Sequence, residues 1–498
     1  MGNHEAQAAI ENALLAHAGV REAAVAHDGR DGLVAFVVPD DAYIDDVLGR
    51  GTAEATVLGK WRRICELSQL TKEAACAPVG FNTIGWNSSY TREPIPAEEM
   101  REWVENTVAD ILQLAPKSVY EIGCGTGLPL MRIAPRTDRY VAADFSAVAL
   151  GRVREQLRTV PSVAERIELM ERRADNFDGL DESSFDTVLL NSVVQYFPNA
   201  VYLTKVLEHA IDIARPSGYV YVGDIRSLPL LQAFSSSVEL FQAADEIGAE
   251  DLRHRICRRV EREQELVVSP AYFLSLRRRI PKISRVPISG DSSCRSRNGS
   301  RAEVAFQDWT EHRLTLDEIR SILRGRRESF GIERIRNARI EKDLAALAIL
   351  RDADAAYTGG ELRQELAEIA EEGILPQALL DLETEGLGFA VSLSWAACRP
   401  DGSYDACFAP IASGQGVTLQ AIRWPEPDAS SYVYLTNAPG QGALRKELID
   451  RLFGQCRRIL PEETVLRGIT LVDTLVRTPD GDVDFRALQA AASSSYLS

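Results

Sequence analysis

The sequence predicts an α/β protein: a largely parallel sheet covered by helices, carrying a helical cap and joined to a small α+β lobe. Three observations carry this expectation. Between residues 118 and 223, short apolar runs of strand length alternate with helical stretches, the signature of consecutive βα units. At the end of the first run, Val119-Tyr120-Glu121-Ile122-Gly123-Cys124-Gly125-Thr126-Gly127-Leu128 turns a strand toward a helix through three glycines. The two ends of the chain hold helix-and-strand pieces too small to bury a core alone, so each needs a partner elsewhere in the chain.

Length and composition bound the answer. At 498 residues the chain has room for about three domains. Hydrophobic residues make up 45% and charged residues 26%, the balance of a folded globular protein. A net charge of −17 argues against nucleic acid as a partner, because that field repels a phosphate backbone. Eight cysteines without a CxxC pair indicate neither a disulfide framework nor a zinc site. No apolar run reaches the roughly 18 to 20 residues of a membrane span, and no signal peptide opens the chain, so a cytoplasmic location is expected.

Taken in order, residues 5 to 38 read as helix, strand, turn and strand, with Ala9, Ile10, Ala13 and Leu14 on one helical stripe and Pro39 closing the second strand. Residues 41 to 57 read as a connection, and from Leu58 a helix presents Trp61, Ile64, Cys65 and Leu67 on one face. The polar and aromatic loop Phe81 to Pro96, with Trp86 and Tyr90, leads into a helix at 97–112; it suits a lid over a heteroaromatic ligand, or a loop packed on the core. The core then reads strand 118–122, helix 128–135, strand 140–143, helix 146–158, strand 166–170, strand 186–190, helix 199–214 and strand 219–223. Residues 228 to 285 form a charged helical cap. A helix at 315–325 and a strand near 332–336 follow, with 345–350 as the last strand of the main sheet. Helices at 360–371 and 376–384 and a strand pair at 389–395 and 404–408 lead to a helix at 443–460, a strand at 465–476 and a turn at 478–481.

The glycine turn is the chemical centre. Turns of this kind bring backbone N–H groups close to a ligand, and the dipole of the next helix favours an anionic group there. A dinucleotide fingerprint starting at Gly123 would need glycine at position 128, which is Leu. Asp144 ends the next apolar run, where a carboxylate can accept two hydrogen bonds from a ribose diol. In a parallel sheet, ligands gather at the C-terminal strand ends. That rule adds Phe145, Asp175, Asn176, Phe177, Asn191, and the groups Gln195, Tyr196, Asp224 and Arg226. Each has a plainer reading: Tyr196 as packing, Asp224 as a helix cap, the turn as a tight bend that binds nothing.

The pattern E-x-G-x-G-x-G from Glu121 to Gly127, with Asp144, resembles the S-adenosylmethionine site of class I methyltransferases. The resemblance to methyltransferase domains embedded in nonribosomal peptide synthetases runs from about residue 58 to 410. It rests on Phe81 to Pro96, Asn191 to Pro198, Gly223 to Leu230, Asn337-Ala338-Arg339, Leu393-Ser394-Trp395 and Asp401 to Asp405. It departs at Arg297 to Phe306, where the family shows H-N-E-L-T-R-F-R-Y-D. The ends are similar to the small C-terminal lobe of adenylation domains: Ile10 to Val25 near its start, and Leu471 to Leu488 at its closing motif, with Asp482 where adenylating enzymes place lysine.

These resemblances imply a class I methyltransferase, Rossmann-like, at 58–410, with its cap at 228–285, inserted in a lobe made from 1–50 and 427–498. They imply S-adenosylmethionine as cofactor, held by Glu121, Gly123, Gly125, Gly127, Asp144, Phe145, Asp175, Asn176, Phe177, Asn191, Trp86 and Tyr90, with Gln195, Tyr196, Asp224 and Arg226 facing the acceptor. The implied substrate is an aminoacyl or peptidyl group on the phosphopantetheine arm of a carrier protein, with other synthetase modules as partners, nitrogen as the commonest acceptor and no adenylation activity. A methyltransferase-like epimerase and a non-catalytic docking module are the alternatives. The first predicts a damaged cofactor turn, and the turn residues are all present.

Overall fold

Five short strands, all parallel, organise the larger part of the molecule: β1 (Ser118–Ile122), β2 (Arg139–Asp144), β3 (Ile167–Glu171), β4 (Phe185–Asn191) and β5 (Ala214–Gly223). They lie in the order β3-β2-β1-β4-β5 and are parallel at every pairing. The chain builds outward from β1 to β3 and then returns to lay β4 against the other side of β1. This reversal opens a crevice at the C-terminal ends of β1 and β4, the place where such sheets bind ligands. Every residue of β1 is buried, as expected of a strand covered on both faces.

The computed structural model describes residues 3–27, 33–40, 43, 52–71, 77–288, 304–354, 357–411, 424–425, 435–437, 439–458, 466–472, 475, 483 and 485. They divide into two compact units, one of Lys60–Ile256 with Glu265–Asn437, the other of Met1–Gly59, Cys257–Gln264 and Ala438–Ser498. In the first, α1 (Ala97–Gln113) and α2 (Ala147–Leu157) share a core with the sheet through Val104, Ile111, Leu150, Val153 and Tyr140. Helix α3 (Ala200–Ile213) buries Tyr202, Leu203, Val206, Leu207 and Ala210 at helical spacing. Asn199 caps its N-terminus, its side chain accepting from the Tyr202 N–H.

The helix expected at 128–135 is cut to one turn, Leu130–Ile133, followed by a 3-10 turn at Ala134–Arg136. Pro135 is the physical cause, since it lacks the N–H that would continue the ladder. So short a helix has little dipole to offer, and the anion-attracting role given to it in the sequence reading falls away.

The segment expected to form a cap holds α4 (Leu231–Gln242), α5 (Ala249–Glu261) and α6 (Pro270–Arg279). A second sheet holds β6 (Phe306–Asp308), β7 (Phe330–Ile335), β8 (Phe389–Ser394) and β9 (Tyr404–Pro410) in the order β8-β9-β7-β6, over a core that includes Trp309, Phe330, Ile332, Tyr404 and Phe408. The strand expected at 345–350 is instead the middle of helix α7 (Glu341–Asp352). Its Ala and Leu residues are strong helix formers, and Ala346, Leu347 and Leu350 are its buried residues. Ala346 and Leu350 share a core with Leu240 of α4 and Leu362 of α8 (Gly359–Glu368). Among the described residues the main sheet therefore stops at five strands.

In the second unit, the strands Val20–His27 and Leu33–Pro39 pair antiparallel, and Leu466–Leu471 adds to the second of them in parallel. The helices Asn3–Leu15 and Pro439–Arg457 complete its core with Ile10, Leu14, Leu452 and Cys456 beside Val37 and Ile469. Segments from opposite ends of the sequence thus form one sheet. Asp482 and most of the closing motif lie outside the described residues.

Candidate functional site

The turn after β1 holds three glycines at positive φ: 74° at Gly123, 51° at Gly125 and 80° at Gly127. Their surroundings differ. A Cβ on Gly123 would lie 2.6 Å from Val193 Cγ2 and one on Gly127 would lie 3.3 Å from Val153 Cγ2, whereas one on Gly125 would meet nothing within 4 Å. The outer glycines let the turn pack closely against its own protein, and the middle one faces open space.

The turn's N–H groups are largely spoken for. Gly123 and Cys124 both donate to the Ala143 carbonyl, at 2.8 and 3.0 Å, and Gly127 donates to Cys124 O at 2.9 Å. Gly125 donates to Asp144 Oδ2 at 2.9 Å. The expectation that these amides meet a ligand is thereby corrected at four of the five turn positions. What the turn offers is shape and an acidic edge.

Asp144 is that edge. Its second oxygen, Oδ1, accepts from the Ser146 N–H at 2.8 Å. Burial raises its pKa, opposed by the N–H bonds of Ser146 and Gly125 and by the charge of Arg62. Each oxygen keeps a lone pair, so the carboxylate can still accept from a diol. Phe145, half-buried, follows at once.

Glu121 faces another way. It is buried inside β1 and takes the Tyr140 hydroxyl on Oε2 at 2.9 Å. Burial pushes its pKa up to about 7, against the pull of Tyr140 and with a further push from the Asp144 charge.

After β3, Asp175 accepts from Tyr202 Oη at 2.9 Å and pairs with Arg173 at 3.0 Å and Lys205 at 3.4 Å. Burial pushes its pKa up, but the Tyr202 bond and the two cations outweigh it and hold the group below its ordinary value. Asn176 Oδ1 accepts from the Asp178 N–H at 3.0 Å. Phe177 stacks on His209 with ring centroids 5.1 Å apart and leans on Tyr120 at 6.1 Å. These three side chains are held by protein partners.

The ends of β4 and β5 are less settled. Asn191 and Gln195 are buried, and Asn191 Oδ1 and Gln195 Oε1 have no hydrogen-bond partner among the described residues. Buried acceptors left unpaired call for donors. Tyr196 packs on Trp61 with centroids 4.8 Å apart. Its pKa is raised by burial and then by the charges of Cys65, Glu265 and Asp224 around it. Asp224 is exposed, yet surrounding protein raises its pKa through lost solvation, while a bond from Ser192 lowers it. Arg226 pairs with Glu265 at 2.8 Å and lies over the Phe234 ring at 5.2 Å.

The loop at 81–96 folds back on itself through the Asn87–Pro94 bridge. Trp86 packs on Trp103 of α1 at 4.8 Å. Tyr90 reaches the cap: its hydroxyl lies 3.1 Å from Ser237 Oγ, and its ring meets Phe234 and Phe241 edge-on. Thr126 of the glycine turn donates to Asn82 O of the same loop at 2.9 Å. Ser192, Trp61 and Glu265 join the site without having been singled out from sequence. Ser192 was only a spacer inside Asn191 to Pro198, and Glu265 had no motif at all. Of the altered segment Arg297 to Phe306, only residues from 304 onward are described.

The model for a family described as a methyltransferase domain matches residues 120–220, which run from inside β1 into β5. The chain carries an S-adenosylmethionine-dependent methyltransferase domain. Over nearly its whole length it is also similar to parts of nonribosomal peptide synthetases. It is 36% identical over 516 residues to the chondramide synthase of Chondromyces crocatus, covering 97% of this chain and 13% of that protein. To a probable non-canonical nonribosomal peptide synthetase of Salinispora arenicola it is 30% identical, covering 96% of this chain and 6% of the relative. To the cyclosporin synthetase of Tolypocladium inflatum it is 26% identical, with 99% and 3% covered. The chain thus spans a small fraction of the length of these relatives.

The methyltransferase domain's crevice suits its cofactor: an open middle glycine and a buried carboxylate with acceptor capacity to spare. Among the described residues no group of three His, Cys, Asp or Glu side chains is placed to hold a metal ion, and no helix is long and apolar enough to cross a membrane.

Proposed function

We propose that this chain transfers a methyl group from S-adenosylmethionine to an aminoacyl or peptidyl intermediate held on the phosphopantetheine arm of a carrier protein, with nitrogen favoured as acceptor. The observation that carries the reading is the placement, at the C-terminal strand ends of one parallel sheet, of a glycine turn with open space at Gly125 and of Ser192 hydrogen-bonded to Asp224 after β4 and β5. When bound, the cofactor supplies an activated methyl group on a sulfonium, so the protein's task is to orient, desolvate and take a proton. Gly123, Gly125, Gly127 and Asp144 shape the donor side, with Glu121 beneath it and Phe145, Asn176, Phe177, Asp175, Trp86 and Tyr90 around it. Asn191 closes the donor side at the end of β4, and Gln195, Tyr196, Asp224 and Arg226 line the acceptor side.

The similarity to synthetases along the chain supports the carrier-bound substrate and the company of other modules. The domains follow: methyltransferase at 58–410 with its cap at 228–285, and an adenylation-like lobe assembled from 1–50 and 427–498. That lobe has Asp482 where lysine would bridge carboxylate and phosphate, and serves as a scaffold without adenylation. The chain works in the cytoplasm, on neither nucleic acid nor membrane.

Intact-protein mass spectrometry of loaded carrier proteins tests the reading. A gain of one methyl group on the carrier, dependent on cofactor, is the expected result. Calorimetry that detects no binding of S-adenosylmethionine would sink it.

A further inference from the structure

At the ends of β4 and β5, two residues other than glycine hold the left-handed conformation, Ser192 at φ 54° and Asp224 at φ 55°. Backbone of this kind is unfavourable for residues with a Cβ and concentrates at functional sites. Here it brings the two side chains together. Asn191 Nδ2 donates to Ser192 Oγ at 3.4 Å, and Ser192 Oγ donates in turn to Asp224 Oδ2. The backbone supports the arrangement, since Ser192 N–H donates to Gly223 O at 3.2 Å. Gly223 has to be glycine: a Cβ there would lie 2.4 Å from Asn191 Oδ1. Two donors in series therefore point one way, and each polarises the next.

We propose that Asn191, Ser192 and Asp224 work as one unit, in which the donor chain fixes one carboxylate oxygen of Asp224 and leaves the other to take the proton of the methyl acceptor. Asp224 is then the catalytic residue and Ser192 a positioning residue. The inference rests on the methyl transfer proposed above. The acceptor's lone pair forms the bond to the methyl carbon as the carbon–sulfur bond breaks, and that electron pair stays on sulfur. The proton shed by the acceptor goes to the free oxygen of Asp224. A sulfonium and a carboxylate enter; a thioether and a carboxylic acid leave.

The surroundings fit this role. Ser192 and Tyr196 face Asp224; Cys65 and Glu265 face Tyr196; and Arg226 is turned to Glu265. Ser192 favours the ionised form of Asp224 by donating to it. Losing that donor makes the carboxyl harder to ionise, so the acid limb of the rate profile moves to higher pH.

The test uses the full chain with carboxyl-13C aspartate, with Asp224→Asn to assign the signal, titrated by NMR from about pH 3 to about pH 9. Single-turnover methylation of a loaded carrier is followed where the chain is folded and active, from about pH 5 to about pH 9. Ser192→Ala is expected to raise the Asp224 midpoint by about one unit and to carry the acid limb with it. Ser192→Gly, which also frees the backbone, should shift both equally, while Ser192→Asn, a donor that tolerates positive φ, should bring both back toward wild type. Asp224→Asn should slow methyl transfer roughly 100-fold or more with cofactor affinity kept. An acid limb that stays put while the midpoint moves overturns the unit, and so does an Asp224→Asn chain as fast as wild type. A wild-type chain that binds S-adenosylmethionine yet methylates no loaded carrier overturns the proposed function and this step with it. It is told apart from failure of the unit alone, which shows only in an active wild type.

Discussion

The two sides of the crevice are built on opposite principles. On the donor side, the turn after β1 has nearly all its amides paired internally, and Asp144 is tied down by two backbone N–H groups. Toward the acceptor, at the ends of β4 and β5, two acceptors are buried without partners among the described residues and two residues carry left-handed backbone. A site that always meets the same cofactor can be finished in advance. A site that must admit a varied substrate keeps unmet hydrogen-bonding capacity, which the substrate satisfies on arrival.

The largest effect expected from breaking this contrast comes at the contact between the two sides. Gly123→Ala adds a Cβ 2.6 Å from Val193 Cγ2 at a φ of 74°. Backbone strain and overpacking together should cost about 2–4 kcal/mol, read as a shift in denaturant midpoint. Gly125→Ala meets no atom and should cost only the strain, about 1–2 kcal/mol. Calorimetry should nevertheless show weaker cofactor binding in Gly125→Ala, because the new methyl group occupies the open space at the turn. Unchanged affinity would place the cofactor elsewhere.

Next come the carboxylates, which differ in sign. Glu121 has a folded pKa raised to about 7, so the folded state favours its protonated form. The stability this gives is full below its ordinary pKa of 4.5 and disappears as pH rises toward about 7. The loss is on the order of 3 kcal/mol by linkage. Glu121→Gln should flatten that slope and leave the chain more stable than wild type above neutrality, since the amide oxygen can still accept from Tyr140. Asp175 runs the other way: its pKa is lowered, so its contribution is present above its ordinary pKa and lost as pH falls through the folded one. Asp175→Asn should therefore cost about 1 kcal/mol near pH 7 and progressively less in acid, as chemical denaturation across pH would show.

The same asymmetry governs how much the sequence disclosed. The five strands, the turn and Asp144 were legible because backbone geometry demands glycines and strand-length apolar runs at fixed places. That residues 228–285 are helical was legible from their strong charge. Residues 345–350 misled because six apolar residues read alike in a strand and a buried helix, and only packing against Leu240 and Leu362 decides between them. The helix after the turn is shorter than its apolar run suggests because Pro135 ends it. Ser192 and Glu265 were invisible for another reason: a serine beside an asparagine becomes informative only when strand order brings β5 and Asp224 next to it.

The smallest effect concerns Tyr90, expected beside the cofactor, whose hydroxyl also meets α4. Its hydroxyl shares a hydrogen bond with Ser237 of α4, and Ser237 also bonds Asp343 of α7. The neighbouring backbone is held as well, with Gln242 Nε2 donating to Ser89 O at 3.0 Å and Tyr90 O at 2.8 Å. Tyr90→Phe keeps the ring contacts with Phe234 and Phe241 and removes only the hydroxyl, so it should cost about 0.5–1 kcal/mol. If the hydroxyl clasps loop to cap, the double variant with Ser237→Ala should cost less than the two single variants together, because both delete one bond. Cofactor affinity should then stay within about twofold of wild type, well under 1 kcal/mol. A tenfold loss of affinity with strictly additive stabilities would instead give the Tyr90 hydroxyl to the cofactor, and the loop at 81–96 would then close on the donor without tethering α4.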